Sequence, residues 1–279
     1  MMEKLLRWAI ETLEHAGIDT PQLDAELLLA HCLQLSRSQL YAQKDRALSA
    51  ETERAFKALV NRRLQREPVA YILGHKEFYG LDLQVDTRVL IPRPETETLV
   101  EVALTIARQR QLSLLAEVGV GSGAIAIALA VNLPETEVYA IDNSVAALEV
   151  AEENCRHHDV SDRVHLLPGD LLAPLPEPVE LIVANLPYVS TGELAALAPE
   201  ITRYEPLGAL EAGPEGLDYI RRLLQQVGDF LEPSGLVCLE IGATQALAVN
   251  ELIREEFPEA TVGLVRDLAG LDRVVILAT

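Results

Sequence analysis

Apolar residues recur at helical spacing through the first quarter of the chain and at strand spacing through much of the rest. Leu5, Leu6, Ile10 and Leu13 keep the 3.6-residue period of an amphipathic helix. Asp19-Thr20-Pro21 opens a second helix with proline near its first turn, and Leu23, Leu27, Leu28 and Leu33 are expected to face inward. Leu48-Ser49 caps a third helix, which runs to Glu67, where Pro68 stops it. Short helices with short connections predict a small bundle. Arg62, Arg63 and Arg66 cluster on the last turns of the third helix. They read as a solvated face, with a partner-docking patch as the alternative.

Between Phe78 and Val89, Leu81, Leu83 and Val85 alternate around Gly80 and Asp86, which predicts a β-hairpin. Pro94, with Glu95 and Glu97 behind it, marks a helix start. Strand and helix patterns then alternate. Strands are expected at 114–118, 137–141, 164–167, 181–184 and 236–241, with two short ones near Val262 and at 274–277. Helices are expected at 124–131, 145–156, 219–231 and 247–257. That order predicts an α/β fold: a parallel, doubly wound sheet with an antiparallel final strand. The expected division is a helical domain at 1–75, a hairpin linker at 76–92 and a catalytic domain at 93–279.

Charge sharpens this division. The chain has 279 residues and a net charge of −20. Residues 1–92 hold 12 Lys and Arg against 13 Asp and Glu; residues 93–279 hold 11 against 30, with no lysine after Lys76. A field of that sign repels a polyphosphate, so no direct nucleic-acid substrate is expected. The uncharged stretch that includes 118–133 is too short to cross a bilayer. The charged N-terminal helix does not read as a signal peptide. Cys32, Cys155 and Cys238 lie far apart in no metal-ligand spacing, so a reduced, cytoplasmic setting and no metal are expected.

Two segments carry candidate chemistry. Glu117-Val118-Gly119-Val120-Gly121-Ser122-Gly123 lies between the first strand of the alternating part and its helix. Glycines there permit a tight turn and the close approach of a ligand. Asp142 ends the next strand, where an acid binds a ribose diol. Gly119 and Gly121 followed by Ala124 also satisfy a dinucleotide fingerprint, but no proton-relay group stands at the strand ends. The fourth strand ends instead in Asn185-Leu186-Pro187-Tyr188. This pairing favours S-adenosylmethionine. An amide or exocyclic NH2 is a poor nucleophile because its lone pair is delocalised. The Asn185 side-chain oxygen and the Leu186 carbonyl can accept its two hydrogens and aim the lone pair. Pro187 holds Leu186 extended, and Tyr188 can stack on a planar acceptor.

With these residues in place, the chain resembles the release factor glutamine methyltransferases over nearly its whole length. The resemblance runs through Pro68-Val69-Ala70-Tyr71-Ile72-Leu73-Gly74, Ile91-Pro92-Arg93-Pro94-Glu95-Thr96-Glu97, the glycine loop, Asp142, Gly169-Asp170, the Asn185 motif, Gly213-Pro214-Glu215-Gly216-Leu217 and Leu271-Asp272-Arg273-Val274-Val275. It implies a Rossmann-like seven-stranded methyltransferase sheet preceded by a small helical bundle and a linking hairpin. It also implies methyl transfer from S-adenosylmethionine to the glutamine amide nitrogen of the Gly-Gly-Gln motif in peptide chain release factors. By the same resemblance, Gly119 to Gly123 (with Val120 and Ser122) hold the methionine moiety, Asp142 the ribose, and Asp170 and Leu171 the adenine. Asn185 to Tyr188 hold the glutamine. The near-neutral charge of the helical part and its arginine cluster lead to the expectation that it recognises the release factor away from the target loop. Two positions depart from the family pattern. Glu117 stands where an aspartate is usual, and Leu186 where the family has a first proline. Asn-Leu-Pro-Tyr is also how ribosomal RNA adenine dimethylases read, so an adenine-N6 methyltransferase acting on RNA or DNA stays open. The acidic catalytic part, the leading position of the helices and the Ile91–Glu97 string favour the protein substrate.

Overall fold

The computed structural model describes residues 2–43 and 47–279. Contacts divide the chain into two compact units. One is Met1–His75 with Ala198–Tyr204; the other is Lys76–Leu197 with Glu205–Thr279.

The first unit consists of α1 (Met2–His15), α2 (Pro21–Leu33), α3 (Arg37–Ala42), α4 (Ala50–Leu64) and α5 (Val69–Leu73), joined by a later helix described below. Local chemistry sets the helix ends. Ser36 and Gln39 form a reciprocal capping box on α3, and Ser49 accepts from the Thr52 amide at 3.0 Å to start α4. Leu13, Ala25, Leu28, Leu29, Phe56 and Val60 fill the core. Leu23, expected inside, is exposed, because Asp24, Ala25, Leu28 and Leu29 hold the inner face of α2. The third predicted helix stops at Leu64 rather than Glu67, since Arg66 adopts a left-handed φ of +72°.

Only Arg62 of the arginine cluster is exposed; Arg63 and Arg66 form neither a solvated face nor a free docking patch. Arg63 is buried and donates to Asp24 at 2.7 Å and to Glu200 at 2.9 Å. Arg66 reaches Glu200 at 3.2 Å and the Ala16 carbonyl at 2.8 Å, and Arg62 pairs with Glu67. Glu200 comes from the 198–204 segment, whose Tyr204 hydroxyl also donates to the Gln65 carbonyl at 2.9 Å. Arg63 and Arg66 are thus held inside the unit by a carboxylate distant in sequence, and Arg62 by one nearby.

The second unit begins with the hairpin β1 (His75–Phe78) and β2 (Leu81–Gln84). Its turn residues, Tyr79 and Gly80, both have positive φ, the primed geometry that suits a two-residue connection. A 3-10 turn at Pro94–Thr96 leads into α6 (Glu97–Arg110). There follow β3 (Leu114–Val118), α7 (Ala124–Asn132), β4 (Glu137–Asp142), α8 (Val145–His157), β5 (Val164–Pro168) and β6 (Val179–Ala184). The short α9 (Thr191–Leu194) comes next, then α10 (Pro199–Tyr204), which packs in the first unit. The chain closes with α11 (Asp218–Phe230), β7 (Leu231–Glu240), α12 (Ala246–Glu256), β8 (Thr261–Arg266) and β9 (Asp272–Ala278).

The seven strands lie in the order β5-β4-β3-β6-β7-β9-β8. β3 to β7 are parallel, and β9 inserts antiparallel between β7 and β8. The predicted doubly wound sheet with an antiparallel final strand is present. Both faces are covered, by a core including Leu99, Leu104, Ile127 and Leu129 on one side and Ile220, Leu224, Val249 and Ile253 on the other. α7 is buried from Ala124 to Ala130, which explains its all-apolar sequence. The strand order reverses between β3 and β6, so a crevice opens at their carboxyl ends, where ligands bind in such sheets.

Candidate active site

β3 and β6 are in register, with Val118 opposite Ala184, so Gly119 and Asn185 leave the sheet side by side. Gly119 has φ +84°, and a Cβ there would lie 3.2 Å from the Asn185 carbonyl oxygen and 3.3 Å from Leu186 Cδ2. Glycine is required both by its backbone conformation and by the segment it faces. The two predicted motifs therefore form adjoining walls of one cavity.

The first wall is local in sequence. The Gly119 and Val120 amides donate to the Ile141 carbonyl, folding the loop over the end of β4. Asp142 accepts from the Gly121 amide at 2.8 Å through Oδ2 and from the Ser144 amide at 2.9 Å through Oδ1. Its carboxylate is oriented by main chain and keeps lone pairs for a ligand. Gly119, Gly121, Asp142, Asp170, Leu171 and Asn185 all line the cavity. Asp170 is paired with Arg222, which stands over the Tyr219 ring.

The other loop residues singled out in the sequence do not line it. Val120 and Ser122 are buried, and Gly123 starts α7. Glu117 is 1% exposed and accepts from the Ala126 amide, in the first turn of α7, at 2.7 Å. Burial pushes its carboxyl well above the usual range against that hydrogen bond, and Asp142 adds to the rise. Glu117 thus ties strand to helix beneath the loop.

The second wall holds Asn185, Leu186 and Pro187. Tyr188 lies beyond the lining. Its carbonyl accepts from Gln245 Nε2 at 3.0 Å, and the same side chain bonds the Gly216 carbonyl and the Gly242 amide. Burial pushes the Tyr188 hydroxyl up to about 12, with the Glu240 carboxyl adding to the shift.

The Ile91–Glu97 string braces this wall. The Ile91 amide and the Arg93 guanidinium both bind Glu205, itself 5% exposed. Glu97 accepts from the Tyr79 amide in the hairpin turn at 3.0 Å. Thr96, buried at the start of α6, accepts at Oγ1 from Asn185 Nδ2 at 3.1 Å. This bond turns the amide nitrogen inward and leaves Oδ1 as the free end of Asn185.

Several lining residues escaped the sequence reading. Asn143 and Ser144 continue from Asp142 and could have been found as the residues following the strand-end acid. Arg88, Val89 and Leu90, the 206–209 loop and Tyr219 carry no motif and are brought in by the fold.

Comparison with known proteins places this geometry. Residues 4–74 match the PrmC N-terminal domain family, and residues 96–203 match the methyltransferase small domain family. A release factor glutamine methyltransferase of Rhodopirellula baltica is 37% identical over 98% of this chain and 94% of its own. One of Moorella thermoacetica is 41% identical over 98% of this chain and 96% of its own. This chain belongs to the release factor glutamine methyltransferase family. Among solved structures, a methyltransferase of Pyrococcus furiosus shares the fold, with a TM-score of 0.51 at 18% identity over 81% of this chain and 98% of that one. In the family context, the Thr96–Asn185 bond joins the Ile91–Glu97 string to the acceptor motif. The two departures now have positions. Glu117 is internal, and Leu186 is buried with its side chain toward Gly119.

Proposed function

We propose that the protein methylates the side-chain amide nitrogen of the glutamine in the Gly-Gly-Gln motif of peptide chain release factors, using S-adenosylmethionine, in the cytoplasm. The observation that carries this is the orientation of Asn185. Asn185 lines the cavity, and with Nδ2 engaged by Thr96 its Oδ1 is left as a pure acceptor, suited to an NH2 group rather than a carbonyl.

The cavity suits the donor. Gly119 and Gly121 present bare backbone, Asp142 presents an oriented carboxylate for the ribose diol, and Leu171 and Tyr219 offer apolar surface for an adenine. When bound, S-adenosylmethionine supplies a methyl carbon made electrophilic by a sulfonium. The remaining work belongs to the protein. Asn185 Oδ1 and the Leu186 carbonyl accept the two amide hydrogens and direct the nitrogen lone pair at that carbon. Once methylated, the acceptor nitrogen would lose a proton to solvent. No strong base has to act first, so positioning carries most of the catalysis.

The acidic composition of residues 93–279 supports a protein acceptor over a polyphosphate one. The helices of residues 1–75 are assigned to recognition of the release factor, through surfaces other than the arginine cluster. Incubation with labelled donor and either a release factor or ribosomal RNA tests the assignment. Label is expected on the release factor glutamine. Label in RNA with none in protein overturns it in favour of adenine methylation.

A further inference from the structure

Glu240 ends β7 at the same edge of the sheet as Gly119 and Asn185. It is 2% exposed, and its Oε2 finds no hydrogen-bond partner among the described residues. Arg273 of β9 acts on it by charge but forms its ion pair with Asp267 instead. That guanidinium gives Nε and Nη2 to Asp267 at 3.1 and 3.0 Å, and Nη1 to the Ile241 carbonyl at 3.2 Å. The β6–β7 register, with Ala184 opposite Leu239, sets Glu240 beside Asn185, and the Thr96 and Tyr188 hydroxyls lie close enough to favour its ionised form, with the charges of Glu95 and Arg273 acting on it as well. A buried carboxylate without an ion-pair partner costs stability.

Its position answers a question left by Asn185. A side-chain amide can face either way round, and a threonine hydroxyl can donate or accept. The observed arrangement, with Thr96 accepting from Asn185, is enforced only if the Thr96 hydrogen is committed elsewhere. An ionised carboxylate accepts and cannot donate, so it commits that hydrogen.

We propose that Glu240 is a positioning residue for methyl transfer: it takes the Thr96 hydroxyl hydrogen, leaves the Thr96 oxygen to Asn185 Nδ2, and so holds Asn185 Oδ1 toward the acceptor amide. This rests on the function proposed above. The reversed Asn185 would present NH2 to NH2, and the acceptor would lose its anchor. A protonated Glu240 can donate to Thr96 and release the hydroxyl hydrogen toward Asn185, which admits that reversal. Burial raises the Glu240 carboxyl to about 7, partly offset by Thr96, Arg273 and Tyr188. The control therefore falls near neutral pH. Tyr188, pushed up to about 12, stays protonated throughout.

The test measures methylation of a release factor and donor affinity in parallel. Wild type must first methylate the release factor glutamine; its failure would remove the proposed function and not bear on Glu240. With that established, wild-type kcat should fall as pH drops through about 7, while donor affinity stays level. Glu240→Gln should lower kcat about tenfold or more at pH 8, flatten that limb and leave donor Kd within about threefold. Thr96→Val should do the same, Thr96→Ser should restore most of the activity, and the Glu240→Gln/Thr96→Val pair should lose no more than the worse single change. Unchanged kcat in Glu240→Gln, or losses that multiply in the pair, overturns the proposal. Should Glu240→Gln fail to fold, the wild-type pH profile and the Thr96 pair decide. No limb near 7, or equal activity of Val and Ser at position 96, then overturns it.

Discussion

The two walls of the cavity are built on opposite principles. The wall proposed to hold the donor, with the acceptor assigned to the other, is local: a glycine loop, a strand-end aspartate and two main-chain amides, all within 119–144. The acceptor wall is assembled at long range. Asn185 is oriented by Thr96, 89 residues away, and the string that carries Thr96 is held by Glu205, 112 residues from Arg93. A ribose diol can be met by backbone and one acid. A weakly nucleophilic amide must be aimed, and aiming needs a side chain fixed from behind.

Separating the walls by mutation should show this difference most strongly at Asn185. Asn185→Ala is expected to lower kcat by about 10²–10³-fold or more, with donor affinity nearly intact. Single-turnover transfer alongside calorimetric donor titration checks this. Equal losses in binding and turnover would merge the two walls into one.

The next effect concerns the stability cost of the acceptor wall. Glu240 has a folded pKa of about 7 against an ordinary value of 4.5, so the folded state binds more protons between those values. Stability should therefore fall as pH rises from about 4.5 to 7, with Glu240 costing roughly 3 kcal/mol above that range. Urea denaturation at pH 5 and pH 8 reads it out. Glu240→Gln should be the more stable protein at pH 8, although it is the slower enzyme. If it is less stable than wild type at pH 8, the carboxyl is better compensated than its surroundings indicate.

The smallest change belongs to the donor wall. Asp142→Ala should weaken donor binding about 10–100-fold, the worth of one or two hydrogen bonds to a charged group. At saturating donor, kcat should stay close to wild type. A fall in kcat as large as that from Asn185→Ala would show that the loop also aims the acceptor, through the Gly119–Asn185 contact.

Much of this molecule was legible along the chain because the relevant signals are short. Period-two and 3.6-residue patterns located the strands and helices, since burial on one face repeats with backbone geometry. Gly119, Gly121 and Asp142 announce themselves as a turn and an acid at successive strand ends, and Asn185 to Tyr188 as polar chemistry after an apolar run. Leu23 and the end of α4 were misplaced because neighbouring residues competed for one face and a left-handed Arg66 broke the helix early.

What no local pattern encodes is the partner of a side chain. Arg63 looks like any helical arginine until Asp24 and Glu200 close on it from both sides. The chain at 198–204 reads as part of a loop, yet it packs with the first unit. Thr96 looks like a residue of a helix start, and Glu240 like a strand-end acid. The periodicity of burial is written in the sequence because each residue contributes to it independently. The orientation of Asn185 depends on the fold bringing Thr96 to it across 89 residues, and only the tertiary structure decides it.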